Sequence, residues 1–204
     1  MNILFLSRFD MEDMSVWSGT AYHVCKKLQE THALKCIGKE LIPQFECYRS
    51  GNFLPGNKPM KNRSAEILCR LLSERIAAMA CDIVFFGDLF FVPYLDIGIP
   101  IVHFSDVTYE QFRNYLNVKD KSQDAKALEL ERLSLRKYSR IIYSSEWAKQ
   151  NAIDYYGVDP DKFHVVEFGA NIPTPSDYQI DIDMNICNLV FIGRNWKKKE
   201  VRKH

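Results

Sequence analysis

Six short apolar runs, separated by stretches of helical periodicity, constrain the fold of this chain more than any other feature. The first, NILFLSR at residues 2–8, is a continuous run that fits a strand buried on both faces of a sheet. Runs of the same kind follow at residues 33–38, 82–87, 100–105, 140–145 and 163–168. Because strands that alternate with helices are joined by right-handed crossovers, they build a parallel sheet covered on both faces. The sequence therefore predicts an α/β fold: a Rossmann-like parallel sheet with helices on both faces.

Helical segments occupy the spaces between the predicted strands. Apolar residues between Ala21 and Leu28 recur at i, i+3, i+4 and i+7, which predicts an amphipathic helix over residues 19–30. The spacing of Thr108 and Gln111 fits a capping box, and Gly157 fits a C-terminal stop. Further helices are predicted from residue 64, from residue 108, over 125–138 and over 146–156, and a long loop over 39–62.

Composition and charge exclude several classes of protein. The formal net charge of the 204 residues is +1, which gives no support for nucleic acid or an anionic membrane as the main partner. No apolar run approaches the roughly 18 residues of a transmembrane helix, and no basic leader precedes the apolar start. The six cysteines form no CxxC pair, and the five histidines show no metal-ligand spacing. We therefore expect a cytoplasmic protein with reduced thiols and no metal cofactor.

Ligands of parallel α/β sheets bind beyond the carboxyl ends of the strands, where the strand order switches. After the first predicted strand, Ser18, Gly19 and Thr20 open a helix. The free N–H groups and positive dipole end of such a helix attract a phosphate, and Gly19 lets the backbone approach it closely. Ordinary helix capping by Ser18 is the alternative. The loop lacks a GxGxxG pattern, which argues against an NAD-binding domain.

Three further strand ends carry polar residues. Asp106 follows the fourth strand, where a carboxylate either binds the hydroxyl groups of a ligand or caps the next helix. Ser145 and Glu146 open a helix after the fifth strand, and capping by serine is again the alternative. After the sixth strand, Gly169 predicts a turn with positive φ, and Asn171 begins the exit from the domain.

The end of the chain departs from this alternation. A polar linker over residues 173–186 separates the predicted domain, residues 1–172, from a new strand pattern that starts at Cys187. Arg194 and Lys199 follow that strand and fit a clamp for a diphosphate, with a frayed basic end as the alternative. Because few residues follow, we expect residues 187–204 to be the truncated start of a second domain.

The loops and their order resemble the retaining glycosyltransferases of family 4, the group 1 glycosyltransferases, which have the two-domain GT-B architecture. SSEWAKQNAIDYYGVDPDKFHVVEFGAN, residues 144–171, is similar to the family's strand, helix, YGV-P-K, strand and Gly-x-Asn loop. CNLVFIGRNWKKK, residues 187–199, is similar to the first strand and phosphate loop of the donor domain. WSGT at residues 17–20 resembles the family's glycine loop, and HFSDVTY at 103–109 the loop that faces the acceptor sugar. The resemblance spans residues 2–199.

The resemblance implies the N-terminal half of a GT-B enzyme that moves a sugar from a nucleotide-sugar donor to a glycan or other acceptor, with retention of configuration. Gly19 and Thr20 would approach the donor diphosphate from the N-terminal domain. Arg194 and Lys199 would grip it from the other side, in place of a metal. Asp106 takes the position of the family's acceptor-side catalytic or orienting residue, which is often histidine. The other candidate substrate-binding residues are Ser145, Glu146, Gly169 and Asn171.

Two departures from the family bear on activity. The family's glutamate pair, E-x7-E, lies deep in the donor domain and has no counterpart here. Glu200 stands where glycine usually follows the phosphate-loop lysine, and the residues after it match nothing in the family. We therefore expect an incomplete enzyme that is inactive alone and needs a separate donor-domain polypeptide.

Two other classes of function remain open. A non-catalytic module that binds a sugar, a nucleotide or a partner protein, or one half of a split enzyme, presents the same loops. A phospho-acceptor signalling domain would use Asp10, Asp13 and Asp88, which lie near predicted strand ends. The lysine that such a domain needs after its fifth strand is missing, which disfavours that class.

Overall fold

The computed structural model describes residues 1–7, 10–37, 62–86, 92–115 and 121–172. Met1–Asn171 form one compact unit. Its strands are Asn2–Leu6 (β1), Ala33–Ile37 (β2), Ile83–Phe86 (β3), Ile101–Ser105 (β4), Arg140–Tyr143 (β5) and Phe163–Val165 (β6). The α-helices of the described residues are Thr20–Gln29 (α1), Asn62–Ala77 (α2), Tyr109–Tyr115 (α3), Lys121–Lys137 (α4) and Glu146–Tyr156 (α5). The predicted linker and final strand, residues 173–204, lie outside the described residues.

All six strands belong to one parallel sheet in the order β2-β1-β3-β4-β5-β6. In this register Leu4 lies between Lys35 on one side and Val84 on the other. The chain moves outward from β1 to β2 and then returns past β1 to β3, so the strand order switches between β1 and β3. The predicted Rossmann-like α/β fold is confirmed.

Alternate residues of β1 enter two separate hydrophobic cores. Leu4 and Leu6 belong to the core on one face of the sheet, which also contains apolar residues of α2, α4 and α5. Ile3 and Phe5 belong to the core on the other face, together with Ala21 of α1. Each of these four β1 side chains is at most 2% exposed. Burial on both faces is the reason that β1 is a continuous apolar run rather than an alternating one.

Two predicted helix ends are confirmed in atomic detail. Gly157 ends α5 in a left-handed conformation with φ 65°, and its N–H group donates to Ile153 O at 3.0 Å. The capping box forms at α3, because Gln111 N donates to Thr108 Oγ1 at 3.2 Å and Thr108 N donates to Gln111 Oε1 at 3.3 Å. Local sequence therefore sets where these two helices stop and start.

Several element ends differ from the sequence prediction. The last strand, β6, ends at Val165 rather than at residue 168. It lies at the edge of the sheet, and Val166 N makes one more bond to Tyr143 O at 2.9 Å before the chain leaves the ladder. α4 begins at Lys121 rather than at residue 125. The hydrophobic pattern marks where an element is buried, and it is less informative where the element continues into solvent.

The cysteines of the described residues are free thiols. Cys25 of α1 and Cys69 of α2 are buried. Burial raises the pKa of Cys69 to about 12, so this thiol stays protonated and behaves as a small core residue. Among the described residues, no helix has the length and apolar character needed to cross a membrane.

Candidate functional site

Three of the predicted site loops meet beyond the carboxyl ends of the strands. They follow the carboxyl ends of β1, β4 and β6, and they comprise residues 17–20, 106–108 and 168–171, here called the strand-end loops. Side-chain contacts join the first loop to each of the other two. Loops that are far apart in sequence thus form one continuous surface at the edge where ligands of such sheets bind.

The first strand-end loop contains three consecutive residues with positive φ. Trp17 has φ 48° and ψ 38°, and Ser18 has φ 55° and ψ 32°, which are left-handed conformations that non-glycine residues rarely adopt. Gly19 follows with φ 83°, where any side chain would be strained. Each of the two non-glycine residues holds roughly 1–2 kcal/mol of strain. The loop therefore depends on the contacts around it to keep this shape.

Helix α1 begins without a side-chain cap. Its N-cap residue is Gly19, and no side chain accepts a hydrogen bond there, so the alternative of capping by Ser18 is wrong. The reason lies in the backbone, because a capping serine needs an extended conformation and Ser18 is left-handed. The Thr20 N–H group donates to Trp17 O instead. The first turn of α1 also carries no acidic residue, so its positive dipole end is not neutralised by a carboxylate of that turn.

Asp106 is held by an indole rather than by a helix. Trp17 Nε1 donates to Asp106 Oδ2 at 3.4 Å. The cap of α3 is Thr108, so the alternative role of Asp106 as a cap is wrong. The Trp17 ring packs edge-on against Phe104 and Phe168, with ring centroids 5.3 and 5.5 Å away. The exposed carboxylate of Asp106 is therefore oriented by an aromatic group seated on the core.

Asn171 joins the last strand-end loop to the first. Its Nδ2 donates to Ser18 O at 3.0 Å and to Thr20 Oγ1 at 2.9 Å. Thr20 is only 7% exposed, so its hydroxyl is largely shielded from competing water. Both bonds end on residues at or next to the strained turn, which they help to hold in place.

Replacing Asn171 by alanine is expected to lower the free energy of unfolding by about 1 kcal/mol, because the bonds to Ser18 and Thr20 are lost. Urea unfolding followed by circular dichroism measures this loss. Asn114→Ala is the control, since Asn114 is exposed and its Nδ2 donates to the Glu110 carboxylate of the same helix. That variant should lose less than about 0.5 kcal/mol. An equal loss in both variants would contradict the bridging role of Asn171.

The residues predicted after β5 have local roles in α5. Ser145 Oγ accepts from Ala148 N at 3.3 Å, so the capping alternative is confirmed. The Glu146 side chain is exposed, and its carboxylate lies 3.1 Å from Lys149 Nζ. An exposed pair of this kind contributes little to stability. Neither residue contacts the strand-end loops through a described hydrogen bond, and their role in substrate binding stays a prediction.

Gly169 does not have positive φ, so the turn predicted for it is wrong. A Cβ atom at this position would meet no other atom within 4 Å. Neither backbone conformation nor lack of space requires glycine there, because the chain leaves β6 without a left-handed residue. Arg194 and Lys199, predicted to clamp a diphosphate, lie outside the described residues.

Glu131 was not among the sequence-predicted site residues, although its carboxyl group faces the backbone at the start of α3. The side chain is 0% exposed, and burial raises its pKa from the usual 4.5 to about 7. Hydrogen bonds from Tyr156 and from the Tyr109 backbone lower the pKa but do not outweigh burial. The sequence did carry a signal, because Glu131 lies between Ala127 and Leu135 on the buried stripe of α4. A carboxyl group at such a position needs a buried partner.

A family match covers two of the three strand-end loops and begins directly after the first. A family model described as Glycosyltransferase Family 4 matches residues 21–172, which are 152 of the 204 residues. The matched region begins directly after Gly19 and Thr20 and includes Asp106 and Asn171. No curated protein matches the chain. Since the matched residues make up about three quarters of its length, the chain belongs to glycosyltransferase family 4.

Proposed function

We propose that the chain is the acceptor-side domain of a retaining glycosyltransferase, which moves a sugar from a nucleotide-sugar donor to a glycan or other acceptor. The observation that carries this proposal is the convergence of the three strand-end loops in a chain of glycosyltransferase family 4. They converge beside the switch in strand order, where parallel α/β sheets bind ligands.

The first strand-end loop suits the diphosphate of a donor. Gly19 brings bare backbone to the start of α1, and the first turn of that helix has no acidic side chain. The positive end of the helix dipole then attracts phosphate oxygens without a competing carboxylate of that turn. Thr20 Oγ1 accepts its bond from Asn171, so we assign the hydroxyl proton of Thr20 to a phosphate oxygen.

Asp106 suits the acceptor. Its exposed carboxylate can accept hydrogen bonds from sugar hydroxyl groups, and the Trp17 indole limits the directions in which it points. We assign Asp106 the task of orienting the acceptor hydroxyl group for attack on the anomeric carbon. Correct orientation of two reactants is among the larger contributions that a protein makes to rate.

As negative charge develops on the leaving diphosphate, it needs hydrogen-bond donors or cations on two sides. In this proposal the first strand-end loop supplies one side. Arg194 and Lys199 supply the other, by resemblance to the family's phosphate loop, and their two cations take the place of a metal. Residues of the described domain thus bind the acceptor and one face of the donor.

Titration of the isotope-labelled chain with nucleoside diphosphate sugars and with glycans, followed by NMR, tests the proposal. We expect the amide signals of Gly19 and Thr20 to shift with a donor and the Asp106 amide with an acceptor. A ligand at about 100 times its Kd should also stabilise the chain by about 2.7 kcal/mol. No shift in any strand-end loop with any ligand of the panel would overturn the proposal, and shifts with glycans alone would favour a sugar-binding module.

Gly19→Ala is expected to weaken nucleotide-sugar binding by about tenfold or more, because a side chain at φ 83° forces the loop to change shape. Gly157→Ala is the matched control, since Gly157 also has positive φ but ends α5 at the opposite edge of the sheet. Both variants should lose about 1 kcal/mol of stability. Only Gly19→Ala should change the dissociation constant, and equal affinities would contradict the role of the first loop.

A further inference from the structure

The N-terminus of α3 is held by a carboxyl group from another helix. Both carboxyl oxygens of Glu131 in α4 accept from the Tyr109 N–H group, at 2.8 and 2.9 Å. The Tyr156 hydroxyl donates to Glu131 Oε2 and accepts from the Glu110 N–H group at 3.2 Å. The first N–H groups of a helix have no partners inside it. In α3 the first two N–H groups therefore bond to Glu131, that of Tyr109 directly and that of Glu110 through the Tyr156 hydroxyl.

Helix α3 follows directly on the strand-end loop that carries Asp106. Ser105 Oγ donates to a carbonyl oxygen two residues later at 3.0 Å, which tightens the turn between β4 and α3. At the end of the turn, the Thr108 hydroxyl lies 2.5 Å from Asn151 Oδ1 of α5. The turn is thus fixed by the sheet at one end, and by α5 together with Glu131 at the other. Asp106 lies between these two supports.

The environment of Glu131 is acidic and apolar. The titratable groups that act on it are the Glu110 carboxylate and the phenols of Tyr156 and Tyr143. The Arg132 guanidinium lies over the Tyr156 ring, 5.5 Å from its centroid. Burial is the main reason that the pKa of Glu131 rises to about 7. The carboxyl group that holds α3 therefore changes charge near neutral pH.

We propose that Glu131 is a positioning residue for the strand-end loop that carries Asp106, and that it acts through the N-terminus of α3. Glu131 is buried, so its influence on a ligand passes through the backbone of Tyr109 and Thr108 to Asp106. The inference rests on the proposed function only in the identity of the ligand that Asp106 binds. The hold of Glu131 on the loop can be measured without any ligand.

The indole N–H signal of Trp17 reports on this loop, because the indole donates to Asp106. Glu131→Met keeps the length of the side chain and removes both acceptor oxygens. In this variant we expect the Trp17 signal to shift in NMR spectra. Hydrogen exchange at the Tyr109 amide should also accelerate by about tenfold or more, the effect of losing a charge-assisted hydrogen bond.

Two further variants separate positioning from general destabilisation. Glu131→Gln keeps one acceptor oxygen, and it should restore the Trp17 signal and bring Tyr109 exchange to within about threefold of the native rate. Glu129→Met changes a neighbour on the same helix whose side chain is 58% exposed, and it should leave both readouts unchanged. A native Trp17 signal in Glu131→Met, or equal shifts in the Glu129 variant, would overturn the proposal.

A pH titration of the native chain gives a readout that survives even if Glu131→Met does not fold. We expect the Trp17 indole signal to titrate with a midpoint at about 7 as Glu131 loses its proton. Tyr109 exchange, corrected for its intrinsic pH dependence, should slow over the same range, because the ionised carboxylate accepts a stronger hydrogen bond from the Tyr109 N–H group. Absence of this titration, or its survival in Glu131→Gln, would overturn the proposal. If no donor or acceptor binds but the Trp17 signal still responds to pH and to Glu131→Met as expected, the proposed function alone would be overturned.

Discussion

Replacing Phe104 by alanine is expected to lower the free energy of unfolding by about 3–5 kcal/mol. Phe104 is 5% exposed near the carboxyl end of β4, and its ring lies 5.7 Å from that of Phe85 and 4.9 Å from that of Phe168. Truncation removes these contacts and leaves a cavity beneath Trp17, which packs on the same ring. The truncation therefore weakens the core on this face of the sheet and also removes the ring on which Trp17 of the candidate site packs.

Denaturant unfolding measures the loss, and Phe112→Ala serves as its control. Phe112 is a phenylalanine of α3 that is 38% exposed, so its truncation should cost less than about 1 kcal/mol. The fluorescence of Trp17 should also shift to longer wavelength in Phe104→Ala, because water reaches the indole. A loss below about 1.5 kcal/mol would mean that the site repacks around the cavity, contrary to the rigid seat inferred from these contacts.

The second large effect concerns the pH dependence of stability, and its source is Glu131. Its pKa is about 7 in the folded chain, against 4.5 as the ordinary value. The folded state therefore holds this proton more tightly than the unfolded state does. The contribution of Glu131 to stability is complete below about pH 4.5 and is lost as the pH rises through about 7. The loss over this window is on the order of 3 kcal/mol.

Comparison of the native chain with Glu131→Gln isolates this contribution. The difference between their unfolding free energies should change steadily between pH 4.5 and about 7 and then level off. Glu129→Gln alters an exposed carboxylate on the same helix, and its difference from the native chain should stay nearly constant over that window. A difference that grows in the opposite direction would show that hydrogen bonding to the ionised carboxylate outweighs its burial.

Much of the fold could be predicted from the sequence because its signals are local. A continuous apolar run such as residues 2–6 indicates a strand buried on both faces, and β1 is buried in this way. The Thr108–Gln111 spacing and Gly157 set helix ends through bonds that span only a few residues. Such signals do not contain the strand order, which depends on packing between distant elements.

The candidate site was only partly predictable for the same reason. Asn171 was predicted to lie at the active end of the sheet, but its bond to Thr20 joins residues 151 positions apart. The role of Trp17 likewise depends on the side-by-side placement of loops after β1 and β4. Gly169 shows a different kind of error. A glycine after a strand suggests positive φ, but Gly169 has no positive φ, and its surroundings leave space for a side chain.

Glu131 shows what a helical pattern conceals. Within α4 it occupies a core position among Ala127, Leu130 and Leu135, and the amphipathic pattern alone predicts an apolar residue there. Its partners are backbone N–H groups of α3, which are present in every sequence and leave no mark in this one. A carboxyl residue on the buried face of a helix, with no cation three or four positions away, is therefore a better signal of such a contact than any motif.

The left-handed turn at Trp17 and Ser18 has a consequence for how related sequences can diverge. Its conformation is maintained by Phe104 of β4 and by Phe168 and Asn171 of the last strand-end loop. A substitution in any one loop therefore changes which residues the others can accept. We expect positions 17–20 and 168–171 to vary together among relatives of this chain, so that these two loops are inherited as a pair rather than exchanged one at a time.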